Sequence, residues 1–453
     1  MATSPGHVDR PLQFLFAMFQ GGGNIPLILP VAARLVAQGH RVRVLAGPGI
    51  RASRLPVSAS LRERVLATGA TLTILDAPVP HPLDAAPPVR GVLRGWIPHG
   101  YVGELALARI TLWSPAWAGQ ARQELQRMPV DVLAADFDLP GALVAAEATG
   151  TPAAALVHHV PWRPLSGVPP RGPGFLPARG PRDTLRDILG NAVLARINAR
   201  DATPAHNWAR RHFGLRPLRT WFNQYDAAAR VLVLSSRAFD FPAHRLAANV
   251  RYVGTPIDDS GVPPTAWNSP WPADDRRPLV LVSLSTLAQG QAPVLQRILG
   301  ALASLPVRGL VTLGPSLDPT QFAAPPNAVL VPFAPHAAVL PHTAAVVTQC
   351  GLGTLTKALV HGVPLVCIPL VGDQSDNAAQ VVARGAGVRL TRDAAPEQVR
   401  AAIARVLAEP RFRARAASVA RVLAAEDGTE RAAQELELLG GMRPSSTEVD
   451  PTR

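Results

Sequence analysis

The chain has 453 residues, which is too long for a single hydrophobic core and fits two domains of about 200 residues each. Its hydrophobic content of 47% and charged content of 17% are those of a globular protein and exclude a disordered chain. The net charge of +13 comes from arginines scattered along the chain. Without a basic run or interleaved aromatic residues, it does not indicate a nucleic-acid partner.

The first half of the sequence alternates short apolar runs with helical segments. Strands are predicted at residues 13–19, 41–46, 71–75, 130–135 and 153–157, and helices at 25–38, 105–127, 141–148 and 183–213. A long loop is expected at 158–182, and 231–235 is the predicted closing strand. This alternation predicts an α/β domain with a parallel sheet and helices on both faces.

A second series of the same kind follows a segment at 251–277 that is rich in Pro, Trp, Asp and Gly and predicts a linker. Its predicted strands are 279–284, 309–313, 328–331, 345–348 and 365–368, and its helices 293–304, 354–361, 377–384, 396–424 and 429–439. We therefore expect a first domain at 1–250, a second at 278–442 and a disordered tail at 443–453.

Cysteine content and the N-terminus indicate the compartment. The two cysteines, Cys350 and Cys367, exclude a disulfide framework and a cysteine-rich zinc site. The N-terminus does not have the pattern of a signal peptide, and no stretch of about 20 apolar residues would span a membrane. We expect a cytoplasmic protein, and an apolar substrate would still allow peripheral contact with a membrane.

The most informative segment, residues 346–387, predicts a strand, a glycine-rich turn, a helix and a second strand that leads to another helix. Gly351 and Gly353 let the backbone approach a ligand closely, and Thr354 adds a hydroxyl. The helix that follows directs its unbonded amides at an anion. In a parallel sheet such a turn lies at the carboxyl ends of the strands, where ligands bind. The segment therefore predicts a diphosphate site.

The order of these residues resembles the donor-binding signature of the UDP-glycosyltransferase superfamily, in which a glycine-rich turn precedes Gly-Val-Pro and then Asp-Gln and Asn. The matching residues are Cys350, Gly351, Gly353, Thr354, Gly362, Val363, Pro364, Pro369, Asp373, Gln374 and Asn377. The alternative is an ordinary βαβ turn followed by a chance Asp-Gln.

The resemblance implies the GT-B fold, an α/β architecture of two Rossmann-like domains with parallel sheets facing a central cleft. It also implies that the acceptor binds in the first half and the nucleotide sugar in the second. Asp373 and Gln374 would bind sugar hydroxyls, and the last helix would return to the first domain.

Two positions depart from the superfamily pattern. Gln349 replaces a phosphate-contacting His, and its amide can still donate a hydrogen bond. Lys357 replaces the Glu that holds the ribose hydroxyls; an ammonium cannot accept hydrogen bonds but can pair with a phosphate. A solvated helix face is the alternative for Lys357. Loss of the Glu weakens the expected preference for UDP, and it would cost less binding energy for a deoxythymidine donor, which lacks the 2′ hydroxyl.

A third departure concerns the catalytic base. Gly23 stands where relatives in this superfamily carry a His or Asp, and a glycine cannot take a proton. Asp136, directly after a predicted strand, is the first candidate base, because a carboxylate buried in a cleft can have a raised pKa. His158, at the end of the next strand, is the second, with a structurally hydrogen-bonded histidine as the alternative.

Asp138 and His159, which lie next to the two candidate bases in the sequence, are interpreted as structural residues. Asp138 is predicted to be a helix N-cap ahead of Leu139. His158 and His159 are expected to face opposite sides of their strand, which makes the pair a poor metal site. The Asp-x-Asp spelling at 136–138 also occurs in the metal motif of another glycosyltransferase fold, but it would place the donor in the first half. We therefore expect no metal.

Two further positions lie beside the expected cleft. Ser285 follows the first strand of the second half and would either line the diphosphate site or form a turn. Phe333 would stack on the nucleotide base or lie in the core. A dinucleotide site in the first half is not expected, because Pro26 occupies the place of the third glycine that such a turn requires.

Together these features predict an inverting glycosyltransferase that moves a sugar from a UDP- or dTDP-sugar to a hydroxyl of a small, apolar acceptor, without a cofactor. The predicted donor contacts are Ser285, Gln349, Gly351, Gly353, Thr354, Lys357, Asp373, Gln374 and Asn377. One alternative is a degenerate member that binds a nucleotide sugar or a partner enzyme without catalysis, and another is a nucleotide-sugar epimerase.

Overall fold

The structure is a computed structural model that describes residues 10–21, 23–47, 57–75, 111, 114–160, 163–243, 245–256, 267–284 and 289–442. Ser285 and the predicted tail at 443–453 lie outside the described residues. So do parts of the predicted linker and of the predicted helix at 105–127.

The first half contains a parallel sheet whose strands are buried apolar runs. Its strands are β1 (Gln13–Phe19), β2 (Arg41–Gly47), β3 (Thr71–Ile74), β4 (Val132–Asp136), β5 (Ala153–Val157), β6 (Arg230–Val233) and β7 (Val250–Tyr252). Within the described residues these seven pair in the order β3-β2-β1-β4-β5-β6-β7. The order reverses between β1 and β4, where a doubly wound sheet opens a crevice at the carboxyl ends of its strands.

Helices cover this sheet. They are α1 (Ile25–Ala37), α2 (Ala59–Ala67), α3 (Ser114–Arg127), α4 (Pro140–Thr149), α5 (Pro181–Ile197), α6 (Thr203–His212) and α7 (Asn223–Ala227), with a π-helical turn at Asn198–Ala202 between α5 and α6.

The second half repeats the architecture. Its strands are β8 (Leu279–Ser283), β9 (Arg308–Thr312), β10 (Ala328–Val331), β11 (Thr343–Thr348), β12 (Leu365–Cys367) and β13 (Gly387–Arg389). They form a parallel sheet in the order β10-β9-β8-β11-β12-β13, which reverses between β8 and β11. Two doubly wound sheets are the architecture that the sequence predicted.

The helices of the second half are α8 (Ala292–Ala303), α9 (His336–Val339), α10 (Leu352–Val360), α11 (Gln374–Ala383), α12 (Pro396–Ala408), α13 (Pro410–Ala424) and α14 (Gly428–Gly441). Short 3₁₀ turns lie at Pro319–Gln321 and Leu340–His342. Among the described helices of both halves, none is long and apolar enough to cross a membrane.

Several predicted elements were wrong in extent. The strand at 231–235 does not close the first sheet, because β7 follows it at the edge. The π-helical turn divides the helix predicted at 183–213. The helix predicted at 396–424 divides at Pro410, which favours an extended conformation in Glu409 (φ −93°, ψ 106°). Strand β13 was missed because three residues are too few to show a period.

The last helix, α14, leaves the second half and packs on the first, as the resemblance implied. Glu437 Oε1 lies 2.7 Å from His40 Nε2, and Arg230 pairs with Glu435 over 2.9 Å. At the start of the helix, a Cβ on Gly428 would lie 2.5 Å from the carbonyl carbon of Thr255. Only a glycine therefore allows the helix to approach the first half this closely.

We expect Gly428→Ala to lower the free energy of unfolding by about 1–3 kcal/mol, because the added methyl collides with backbone that cannot rotate away. The matched control is Gly119→Ala on α3, where a Cβ would meet no atom within 4 Å. That variant should raise the free energy of unfolding by about 0.5–1 kcal/mol. Urea denaturation measures both, and equal stabilities would contradict the close packing.

Candidate active site

The glycine-rich turn between β11 and α10 has the geometry of an anion site. Cys350 has φ +67° and is the one non-glycine residue with a positive φ among the described residues. This left-handed conformation lets the chain turn sharply after β11. Gly351 is the N-cap of α10 and provides no side chain to bond the first amides of the helix. Thr354 lies half-buried in the first turn. The amides at this end are therefore available to a ligand.

Gln349 is held over this turn. Its Oε1 accepts a hydrogen bond from the Thr348 hydroxyl over 2.9 Å, which fixes the orientation of the amide. Its Nε2 then lies 3.1 Å from the position that a Cβ on Gly351 would occupy. A glycine at 351 thus leaves room for the amide, which can donate to an oxygen bound at the turn. A phosphate contact of Gln349 stays a prediction.

Asn377 joins the two parts of the signature. It is fully buried, and its Nδ2 donates to the Cys350 carbonyl over 3.0 Å and to Asp373 Oδ2 over 2.8 Å. These bonds fix the start of α11 against the turn that follows β11. Asn377 therefore positions Asp373 and the turn from behind.

Gln374 is also buried and bonded within the protein. Its Oε1 accepts from the amides of Leu370 and Val371 over 2.8 and 3.0 Å, and its Nε2 donates to Gln289 over 2.9 Å. Its side chain thus shapes the 370–371 turn, and contact with a sugar hydroxyl stays a prediction.

Lys357 lies half-buried on α10, close to the start of α9. Burial lowers the pKa of His336 to about 4, and the Lys357 ammonium acts in the same direction. Phe333, just before α9, is 72% exposed and is therefore not part of the core. A positive charge and an exposed ring flank the expected nucleotide site.

On the first half, a buried carboxylate organises the crevice at the switch point of the sheet. Asp136 ends β4 and has no exposed surface. Its Oδ2 accepts a hydrogen bond from Asn24 Nδ2 over 2.7 Å, and its Oδ1 accepts from the Asp138 amide over 2.9 Å. Asn24 was not identified from the sequence, although it lies next to Gly23 in the turn after β1.

His158 lies between two carboxylates. Its Nδ1 is 3.3 Å from Asp136 Oδ1, without the alignment of a hydrogen bond, and its Nε2 is 3.7 Å from Asp138 Oδ2. His159 also approaches this point, with Nε2 at 3.8 Å from Asp138 Oδ1. The prediction that the two rings face opposite sides was wrong. The strand ends at Val157, so strand alternation does not govern either histidine.

The interpretation of Asp138 as a helix N-cap was also wrong. Leu139 occupies the N-cap of α4, and no side chain caps that end. Asp138 is buried instead, and its Oδ1 has no hydrogen-bond partner among the described residues.

Burial and charge shift the pKa values of this cluster. Burial raises the pKa of Asp138 to about 7, with Asp136 and Asp373 adding to the rise against His158 and Arg171. Burial lowers the pKa of His158, but Asp136, Asp138 and Asp373 outweigh it and bring the value to about 9. Burial keeps the pKa of His159 well below its usual range. Asp373, at the start of α11, is the carboxylate of the second half whose charge acts on both Asp138 and His158.

The turn after β1 in the first half approaches the donor turn of the second half. Gly23 offers open space, since a Cβ there would meet nothing within 4 Å. Pro26, just beyond it, lies 4.0 Å from the Cβ position of Gly353 on the donor turn. Among the described residues, Asp136, Asp138 and His158 have ligand atoms within 4.8 Å of one another, a spacing that could also hold a metal ion.

Comparison with known proteins agrees with this geometry. The family described as UDP-glucoronosyl and UDP-glucosyl transferase matches residues 213–424. The 4'-demethylrebeccamycin synthase of Lentzea aerocolonigenes is 30% identical over 437 residues, which cover 94% of this chain and 99% of that protein.

Two solved structures share the fold over 95% of the chain. The glycotransferase of kitacinnamycin has a TM-score of 0.69 at 21% identity and covers 95% of this chain and 99% of its own. The glycosyltransferase VinC in complex with dTDP has a TM-score of 0.64 at 19% identity, with coverage of 95% and 99%. These comparisons and the site together define a glycosyltransferase of the GT-B fold. The chain belongs to the UDP-glycosyltransferase superfamily.

Proposed function

We propose that this glycosyltransferase moves a sugar from a UDP- or dTDP-sugar to a hydroxyl of a small, apolar acceptor with inversion at the anomeric carbon. One observation carries the proposal: His158 lies half-buried between Asp136 and Asp138, where the charge of Asp373 from the donor half acts on it. A proton acceptor and the start of the donor helix therefore meet at one point of the cleft.

In this mechanism His158 takes the proton, and the charge of Asp136 beside its Nδ1 stabilises the imidazolium that forms. Both oxygens of Asp136 already accept N–H hydrogen bonds, which makes this carboxylate a poor base and a good partner for an imidazolium. With Nδ1 toward Asp136, the Nε2 of neutral His158 removes the hydroxyl proton while the acceptor oxygen attacks the anomeric carbon. The bond from that carbon to the diphosphate oxygen breaks on the opposite face, and its electron pair leaves with the diphosphate.

The leaving diphosphate gains negative charge that the donor turn can stabilise. The unbonded amides at the start of α10, between Gly351 and Thr354, and the Gln349 amide supply hydrogen bonds without a metal ion. Lys357 adds a positive charge from the same helix. Asp373, Gln374 and Asn377 shape the sugar side of the site.

The donor nucleotide follows from Lys357. A lysine cannot accept hydrogen bonds from two ribose hydroxyls, so the usual advantage of a ribonucleotide is lost. The similar VinC structure contains dTDP, which supports a deoxythymidine donor. The small-molecule names of the similar proteins, rebeccamycin and kitacinnamycin, support a small acceptor.

A protein that binds a nucleotide sugar without catalysis is the second candidate, and the open space at Gly23 favours it. Burying two carboxylates, Asp136 and Asp138, beside His158 costs several kcal/mol, however, which is difficult to explain in a protein that only binds.

We expect His158→Gln to lower kcat about 100- to 10,000-fold, because the variant lacks a base. The dissociation constants of UDP and dTDP should not change. The measurement is release of UDP or dTDP from UDP-glucose or dTDP-glucose with a panel of hydroxylated aromatic acceptors, in EDTA.

The control is His206→Gln, a buried histidine that contacts Ser114 and Gln224 instead. Full activity of the His158 variant would exclude His158 as base. A requirement for Mg²⁺ or Mn²⁺ would show that the cluster binds metal, and nucleotide binding without any transfer would favour the binding protein.

The pH dependence of transfer distinguishes the two groups with raised pKa values. A base must be unprotonated, so the rate should rise with pH up to a value near 9 for His158, and near 7 for Asp138. We expect the rate to level off near pH 9, the value for His158. Asp138→Asn should move this rise to lower pH, because it removes a carboxylate that raises the pKa of His158. A rise that levels off near pH 7 in the unmodified protein would assign the proton transfer to Asp138.

Lys357→Glu should shift nucleotide preference toward UDP by about tenfold, because a carboxylate accepts hydrogen bonds from both ribose hydroxyls. Calorimetric dissociation constants for UDP and dTDP give the ratio. In the control Lys357→Met, which removes the charge without adding an acceptor, both nucleotides should weaken equally. An unchanged ratio in the Glu variant would place the ribose away from this position.

A further inference from the structure

One face of helix α11 forms hydrogen bonds with the first half of the chain. Asp376, Gln380 and Arg384 follow one another at intervals of four residues, which places them on one stripe of the helix. Each of the three bonds to the first half of the chain. The helix that starts beside Asp373 in the donor half is therefore also the element that holds the acceptor half.

The Asp376 contact is the most specific of the three. Asp376 is 4% exposed, and its Oδ2 accepts a hydrogen bond from the Gly172 amide over 2.7 Å, while its Oδ1 accepts from the Gly174 amide over 3.0 Å. Hydrogen bonds to an ionised carboxylate are stronger than those between neutral groups. The two halves are thus joined by a buried, charge-assisted pair of bonds.

The loop that binds this carboxylate has two glycines whose backbone conformation directs its amides toward Asp376. Gly172 and Gly174 have φ +105° and +69°, values that side chains rarely adopt, and these turn both amides toward one point. A Cβ on Gly174 would lie 2.3 Å from the Ser375 carbonyl oxygen. Arg389 of β13 also donates to the Gly174 carbonyl. The loop therefore fits against α11 and β13 only with glycine at 174.

Arg171 directly precedes this loop and connects it with the candidate active site. It is 4% exposed, and its positive charge acts on Asp138, on His159 and on Tyr225. Bonds to the amides of residues 172 and 174 fix the backbone immediately after Arg171. The hydrogen bonds of Asp376 thus fix the backbone next to a buried arginine whose charge acts on Asp138.

We propose that Asp376 is a positioning residue for the acceptor side of the active site: by bonding the Gly172 and Gly174 amides it fixes the backbone next to Arg171 and so keeps the Arg171 charge close to Asp138 and His159. This inference rests on the proposed role of the cluster in transfer. It assigns to the donor helix a second task beyond contact with the nucleotide sugar.

The other two residues of the stripe provide an internal comparison. Gln380 Nε2 donates to Asp240 Oδ1 over 3.1 Å, and Arg384 donates to the carbonyls of Ala238 and Asp240 over 2.6 and 2.8 Å. These bonds hold the loop at 238–241, which does not contain Arg171. Loss of Gln380 would weaken docking of the halves without releasing the loop at 172–174.

The test is a double-mutant cycle with Asp376→Asn, Arg171→Met and the combined variant, and Gln380→Leu as matched control. We expect Asp376→Asn to lower kcat about ten- to a hundredfold, the effect of losing a hydrogen bond to a charged group. The UDP and dTDP dissociation constants should change less than about twofold. The combined variant should be no worse than the poorer single variant, because both act through one contact. Gln380→Leu should keep kcat within about threefold.

A second measurement does not depend on activity. Hydrogen–deuterium exchange of a peptide that spans residues 168–176 should be slow in the unmodified protein and faster in Asp376→Asn, with no change in Gln380→Leu. Additive kinetic effects, an equal loss in Gln380→Leu, or unchanged exchange in Asp376→Asn would each overturn the proposal. If the unmodified protein transfers no sugar, the proposed function fails, whereas the exchange measurement still decides whether Asp376 holds the loop.

Discussion

The first half of the cleft depends on a carboxylate that has no contact with water. Asp136 is fully buried, and a buried charge is tolerated only when hydrogen-bond donors and an opposite charge replace its hydration. Asn24 and the Asp138 amide supply the donors, and His158 supplies the opposite charge. These groups come from the ends of β1, β4 and β5, which are neighbours in the sheet. The groups that replace the hydration of Asp136 therefore come from the ends of three neighbouring strands, which meet at this carboxylate.

The same constraint gives a physical account of the missing base at Gly23. Strand β4 lies between β1 and β5, so an imidazole can reach the carboxylate of Asp136 from either side. The superfamily pattern places it on the β1 side, in the turn that contains Gly23. In this chain the β1 turn supplies the neutral Asn24 amide instead, and His158 approaches from the β5 side. A histidine therefore lies beside this carboxylate although the β1 turn does not supply one.

The fold and the donor turn could be predicted from the sequence, because buried parallel strands such as β1 and β8 are continuous apolar runs and glycines mark the turns between them. The side-chain geometry of the cleft could not be predicted in full, because it depends on where each element stops. Strand β5 ends before His158, and Leu139 rather than Asp138 caps α4. Asp376 gave no signal at all, since its partner Gly172 is 204 positions away in the chain.

Docking of the two halves depends on opposing contributions to the free energy at α11. In an open cleft water would hydrate the Asp376 carboxylate. Its bonds to the loop at 172–174 replace this hydration, so only the difference between the two contributes to docking. A hydrogen bond to a charged group contributes a net of about 1.5–3 kcal/mol. A contact of this size can hold the halves together yet be reversed when product leaves. Because Asn377 ties the start of the same helix to the donor turn, a ligand that orders that turn also favours the docked position of α11.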